Sequence, residues 1–149
     1  MTVLLEVKGL QKVYTTRFGG TSVTALRNVN LSVEKGEYIA IMGESGSGKT
    51  TLLNILAALD RPTRGQVLLD GNDITAISEK ELSAFRRSNL GFVFQDFNLL
   101  DTFNLKDNIF LPLVLSGKKY GEMNKRLKPL AAMLGITDIL YKYPYEVSG

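Results

Sequence analysis

Residues 38–59 constrain the fold more than any other stretch. Tyr38-Ile-Ala-Ile-Met42 is a continuous apolar run, the pattern of a strand covered on both faces in a parallel sheet. Gly43-Glu-Ser-Gly-Ser-Gly-Lys-Thr50 follows it. Then comes Thr51-Leu-Leu-Asn-Ile-Leu-Ala-Ala-Leu59, apolar almost all round and so expected as a buried helix. Glycines let a backbone wrap around an anion with its amides pointing inward. Gly48, Lys49 and Thr50 would open the helix, whose N-terminus carries partial positive charge. The spacing fits G-x-x-x-x-G-K-[ST], a phosphate-binding loop. In such a loop Lys49 reaches the β- and γ-phosphates as a mobile cation, and the Thr50 hydroxyl supplies one oxygen to Mg²⁺. Gly43, Ser45, Gly46, Ser47, Gly48, Lys49, Thr50 and Thr51 are therefore the candidate nucleotide-binding residues, with Lys49 also the candidate catalytic cation. A glycine-rich turn with an exposed lysine is the bland alternative. The flanking strand and helix are the context that favours the motif.

Composition narrows the chemistry. The 149 residues contain no cysteine and no histidine. Disulfides, thiolate or imidazole metal sites, a cysteine nucleophile and Ser-His-Asp hydrolysis are all excluded. Hydrophobic residues make up 44% and charged residues 22%, the balance of a soluble globular domain rather than a disordered or fibrous chain. A net charge of +3 is too mild to argue for nucleic acid. The longest apolar stretch, residues 109–115, is too short to span a bilayer and contains Pro112. The N-terminus mixes acidic and basic residues and lacks the apolar core of a signal peptide, which gives the expectation of a cytosolic chain.

The rest of the chain divides by pattern. Residues 3–8 and 29–33 alternate as half-buried strands, with Glu34-Lys35-Gly36-Glu37 as a tight turn. Asp60-Arg61-Pro62 should stop the helix after the loop. Residues 66–70 read as a strand, and residues 91–94 as another, short and buried. Ser78-Glu-Lys-Glu81 reads as a capping box opening a helix to about Arg87. From Leu105 the pattern is helical, with Met123, Leu127, Leu130 and Leu134 as an apolar stripe. Pro129 should kink or split that helix and Gly135 should end it. Lys118, Lys119, Lys125, Arg126 and Lys128 read as a solvated face. Asp70 precedes Gly71 rather than Glu and reads as a strand end before a turn, not as a metal-binding aspartate.

Three further features fall in order around the loop: Tyr14 after the first strand, Gln95 after Gly91-Phe-Val-Phe94, and Val147-Ser148-Gly149. Together with residues 43–50 this order resembles the nucleotide-binding domain of ATP-binding cassette (ABC) transporters. The likeness covers essentially the whole chain. Phe85-Arg-Arg-Ser-Asn-Leu-Gly-Phe-Val-Phe-Gln-Asp-Phe-Asn-Leu-Leu100 is similar to the lipoprotein-release, macrolide-export and cell-division subgroup. Asp96, Leu99-Leu-Asp-Thr102, Asn108-Ile109 and Leu111-Pro-Leu113 look like ATPases of bacitracin-type antimicrobial-peptide resistance transporters.

The resemblance implies an α/β fold: a P-loop NTPase core with an N-terminal antiparallel β subdomain and a C-terminal helical subdomain. Residues 1–35 would be mainly the β subdomain, 36–95 the P-loop core with added β elements, and 96–149 the Q-loop and helical subdomain to the start of the signature. Tyr14 would stack on adenine, Gln95 would touch Mg²⁺ and the attacking water, and Ser148 and Gly149 would begin the signature, with Val147 where the family has leucine. ATP and Mg²⁺ would be the ligands. Two such domains would pair head to tail around ATP. The Q-loop and helical subdomain would pass the motion to membrane permease subunits from the cytoplasmic face of the membrane. No nucleic-acid partner is implied.

The family's second metal-site aspartate, catalytic glutamate and switch histidine follow the signature. The resemblance therefore implies that these 149 residues bind ATP with little or no hydrolysis, and that the parallel sheet is incomplete with exposed edges. A small nucleotide phosphotransferase, a non-transport ABC protein and a short nucleotide-binding regulator are the alternatives. The strands before the loop and the position of Gln95 speak against the first of them.

Overall fold

A computed structural model describes residues 2–15, 20–94 and 98–147. Gln95, Ser148 and Gly149, three of the candidate site residues, lie outside that set. The chain forms two compact units, Met1–Leu90 and Gly91–Gly149.

The first unit is built on one antiparallel sheet. Strands β1 (Val3–Thr15) and β2 (Ser22–Glu34) are each thirteen residues long. With β3 (Arg64–Leu69) and β4 (Asn72–Asp73) they stand in the order β2-β1-β3-β4. The expected strands at 3–8, 29–33 and 66–70 lie in β1, β2 and β3, and the turn forms with the Glu37 amide donating to the Glu34 carbonyl at 3.1 Å. Val7 and Leu10 are both buried, although an odd spacing should put them on opposite faces. A register shift around Gly9 resolves this: Val7 faces Leu31 and Leu10 faces Val29, so β1 spends one extra residue and returns Leu10 to the core. Gly65 of β3 is pressed against this irregularity, and a Cβ there would fall 2.5 Å from the carbonyl oxygens of Lys8 and Gly9.

Helix α1 (Lys49–Leu56) lays Leu52 and Ile55 on the core formed by Val7, Leu10, Leu26, Val67 and Ile74. Each such side chain taken from water contributes about 1.5–3 kcal/mol. The other sides of the segment are not covered: Leu53 and Leu59 are about half exposed, which corrects the expectation of a helix buried all round.

Residues 38–42 are not a strand in this structure. Tyr38 is 93% and Met42 87% exposed, and only Ile41 packs against the core. A central strand exists only between neighbours that take up its amides and carbonyls, and no described segment pairs with this one. The sheet is accordingly all antiparallel among the described residues.

Helix α2 (Glu79–Asn89) starts where expected, but the capping box does not form. The Ser78 hydroxyl donates to the Glu81 carboxylate instead of accepting from the backbone. Glu79 and Glu81 in its first turn still complement the helix dipole.

The second unit is helical. Residues 91–94 were expected as a buried strand, yet no strand forms and Val93 is fully exposed. Phe92 and Phe94 stack on each other at 5.7 Å, and no described segment offers them a sheet partner. Helix α3 (Leu105–Leu115) is capped by the Asn104 side chain, which accepts from the Asp107 amide at 2.8 Å. The Asn108 amide holds the preceding loop by bonding Leu100, Phe103 and Asn104. Helix α4 (Tyr120–Leu134) runs unbroken through Pro129, so that proline does not split it, and Gly135 ends it in the left-handed conformation. Its buried stripe is Met123, Leu127 and Ala131, not Leu130 and Leu134, which are exposed. Steps of four keep one face toward Phe110 and Leu140. Lys118, Lys119, Lys125, Arg126 and Lys128 are all exposed.

One lysine of this unit is buried. Lys106 donates to the Tyr120 hydroxyl at 2.6 Å and lies 5.0–5.5 Å from the ring centres of Tyr120, Tyr141 and Phe110. The Tyr120 bond, outweighing desolvation, holds its pKa above the ordinary lysine value. No helix among the described residues is long and apolar enough to cross a membrane.

Candidate functional site

The loop at residues 43–50 is shaped by three glycines, Gly43, Gly46 and Gly48. Gly46 and Gly48 have φ of 80° and 92°. A Cβ on Gly43 would meet the Ser47 hydroxyl at 2.8 Å, and one on Gly48 would meet the Ala25 carbonyl oxygen at 2.5 Å. The loop is thus laid directly on β2. The Ser47 amide closes a turn on the Glu44 carbonyl, and the Leu52 amide donates to the Gly48 carbonyl as the first helical bond of α1.

Gly48 is the N-cap of α1 and has no side chain to occupy the first amides of the helix. No acidic side chain sits in that first turn to offset its positive end. The Lys49 ammonium folds back over the loop, donating to the carbonyls of Gly43 at 2.8 Å and Glu44 at 2.6 Å, with the Ser47 hydroxyl at 3.3 Å. These partners are neutral, and among the described residues Lys49 has no acidic partner. The result is a concave surface with converging donors and an unbalanced positive charge, which is a site for an anion.

A cleft of about 540 Å³ opens over it, lined by Ser45, Gly46, Gly48, Lys49, Thr50 and Thr51 on one side. Val23, Thr24 and Ala25 of β2 form the other wall. These three residues carried no signal in the sequence: the expected strand covered 29–33, whereas β2 begins at Ser22. The cradle suits a phosphate group, since the uncapped start of α1 and the Lys49 ammonium both lie at the cleft. Thr50 lines the cleft, and its hydroxyl could ligate Mg²⁺. No cluster of three acidic residues among those described could hold a metal alone, so phosphate oxygens would complete such a site.

Tyr14 stands at the end of β1 opposite Val23, and so beside the cleft wall. The residue is 43% exposed. Its hydroxyl donates to Asp60 Oδ2 at 2.8 Å, and the Lys12 ammonium lies over the ring at 4.8 Å. Asp60 was expected only to stop a helix. Its Oδ1 accepts from Lys12 at 2.6 Å and from the Arg61 amide at 2.7 Å. Partial burial alone would raise the Asp60 pKa. The hydrogen bonds from Lys12, Tyr14 and the Arg61 amide, with the charge of Lys12, outweigh it and hold the carboxyl below its usual 3.8.

The sign for stability follows from that direction. A folded-state pKa below the unfolded one stabilises the fold above the unfolded value and ceases to do so as pH falls through the folded value. Asp60→Asn is expected to lower stability to denaturant at ~pH 7, with the deficit shrinking below about pH 3.8. Urea titrations of both proteins at the two pH values check this, and a deficit independent of pH would count against it.

Comparison with known proteins places these features. The chain is 51% identical over 146 residues to an uncharacterised ABC transporter ATP-binding protein, YvcR, of Bacillus subtilis, covering 98% of this chain and 56% of that one. It is 44% identical over 146 residues to the bacitracin export ATP-binding protein BceA of Halalkalibacterium halodurans, covering 98% of this chain and 57% of that one. Among solved structures, a dimeric ATP-binding cassette in a post-hydrolysis state bound to ADP and Pi superposes with a TM-score of 0.88 at 36% identity, over 97% of this chain and 63% of that one. The chain thus spans a little over half the length of these curated relatives. The ABC transporter family model matches residues 26–149, which include the whole loop and the helical unit, and on that match the chain belongs to the ABC transporter family.

Proposed function

We propose that this chain is the nucleotide-binding part of an ABC transporter ATPase, taking Mg-ATP on residues 43–51. The carrying observation is the uncapped start of α1, where Gly48 is seated on the Ala25 carbonyl and the Lys49 ammonium is bonded only to neutral loop oxygens. Phosphate oxygens would replace those oxygens around Lys49, and Thr50 would hold the metal that neutralises phosphate charge. Tyr14 takes the adenine and Gln95 the metal and water. Ser148 and Gly149 serve the ATP of a second subunit, paired head to tail.

The dimeric cassette bound to ADP and Pi supports pairing, and the bacitracin export relative supports a peptide-antibiotic or lipid-linked cargo moved by membrane permease subunits. Those subunits are contacted through the Q-loop and helical subdomain, at the cytoplasmic face of the membrane. Nucleotide bound between two subunits favours the paired state, and loss of phosphate charge releases it. The 149 residues alone bind ATP with little hydrolysis.

The test is equilibrium binding of Mg-ATP to the chain, competed with inorganic tripolyphosphate, with phosphate release followed in the same samples. Saturable binding that tripolyphosphate displaces, at background phosphate release, is the expected result. Binding that tripolyphosphate leaves intact would place the nucleotide elsewhere. Turnover abolished by Lys49→Ala would show that these residues hydrolyse ATP by themselves.

A further inference from the structure

We propose that Asp60 is a positioning residue for the nucleotide base, acting through Tyr14 and together with Lys12. This rests on the reading of Tyr14 as the adenine platform. An exposed tyrosine at the end of a strand has rotamer freedom that stacking must remove, and that ordering costs affinity. Here the ordering is already done. The Tyr14 hydroxyl is tied to Asp60 Oδ2 at 2.8 Å, and the other carboxylate oxygen holds Lys12 at 2.6 Å. Lys12 is itself fixed a second time, by the Arg61 carbonyl at 2.6 Å. Its ammonium lies over one face of the ring, 4.8 Å from the centre. One ring face is therefore covered by a cation, while the residue keeps 43% of its surface exposed for an aromatic base to meet.

Asp60 can play this part because the chain beyond α1 is firmly held. The amides of Leu59 and Asp60 both donate to the Asn54 carbonyl, and Arg86 donates to the Ala58 carbonyl at 2.7 Å. Arg61 is pinned in turn by Glu79 and by the carbonyls of Thr75 and Ile77. The same helix thus presents the phosphate cradle at its start and, four residues past its end, the anchor of the base platform. Phosphate and base recognition are set by one rigid element.

The experiment separates base from phosphate recognition. Affinities for ATP and for inorganic tripolyphosphate are measured on the protein as its gene encodes it. Asp60→Ala and Tyr14→Phe, which keeps the ring and removes only the hydroxyl, should each weaken ATP by roughly three- to tenfold and leave tripolyphosphate unchanged. The double variant should be no worse than either single one, and Asp60→Asn, which keeps an acceptor for the hydroxyl, should recover part of the loss. Tyr14→Ala is the reference. If it lowers the ATP-to-tripolyphosphate ratio while Tyr14→Phe and Asp60→Ala do not, the positioning role is overturned and the platform stands. If Tyr14→Ala leaves the ratio unchanged, the platform reading falls and this inference with it. Should Asp60→Ala fail to fold, Tyr14→Phe alone decides.

Discussion

Lys49→Met is expected to weaken Mg-ATP binding by about one to two orders of magnitude while leaving the fold intact, because one charge-assisted hydrogen bond is worth about 1.5–3 kcal/mol and every 1.4 kcal/mol is tenfold. The ammonium's present partners are the carbonyls of Gly43 and Glu44 and the Ser47 hydroxyl, all near solvent, so water can replace it there at little cost to stability. With nucleotide bound, nothing replaces it, since among the described residues no other cation bonds to the loop. Lys49→Arg should not rescue, because a planar fork cannot follow the three directions an ammonium bonds along. Calorimetric titration with Mg-ATP and a thermal melt of the same samples check both halves. Affinity within about threefold of the parent would remove Lys49 from the phosphate site.

The part of this site legible in sequence is the part that is contiguous. Gly43, Gly46, Gly48, Lys49 and Thr50 lie within eight residues, and their types and spacing alone single them out. What escaped joins distant residues. The Tyr14–Asp60 bond spans 46 positions, and nothing about Asp60 two residues before a proline distinguishes an anchor from a helix stop. Leu10 escaped for a different reason: one extra residue around Gly9 resets the alternation that a period of two assumes. The two segments expected as buried strands, 38–42 and 91–94, show the limit of composition. An apolar run states that a segment gains by burial, whereas a strand also requires a partner edge for its amides. Tyr38, Met42 and Val93 are exposed here because no described segment provides one. The capping box failed at a finer scale: the Ser78 hydroxyl donates to the Glu81 carboxylate and accepts from no backbone amide of α2.

Gly48→Ala is expected to cost about 3 kcal/mol and to lower the melting temperature of the first unit by roughly 12 °C or more, with nucleotide binding lost in step. Two costs add at this position. A left-handed φ of 92° is unfavourable for an L-residue by about 1–2 kcal/mol. The new methyl would also sit 2.5 Å from the Ala25 carbonyl oxygen and 3.0 Å from Leu26 Cδ2. The first of these atoms is backbone of β2 at a register shift and the second belongs to a buried core side chain, so relief requires moving the strand or disturbing the Leu26 packing. Gly46→Ala separates the two costs. Its φ is 80°, but nothing lies within 4 Å of the added Cβ, so only the backbone term of about 1 kcal/mol remains. Melts of both variants, followed by circular dichroism with and without Mg-ATP, should show the larger loss at Gly48. Equal losses would mean that contact with β2 contributes nothing, and that the loop's conformation is set by its own turn alone. A larger loss at Gly48 would make the Ala25 carbonyl part of the nucleotide site: it dictates where the first amides of α1 point without touching the phosphate.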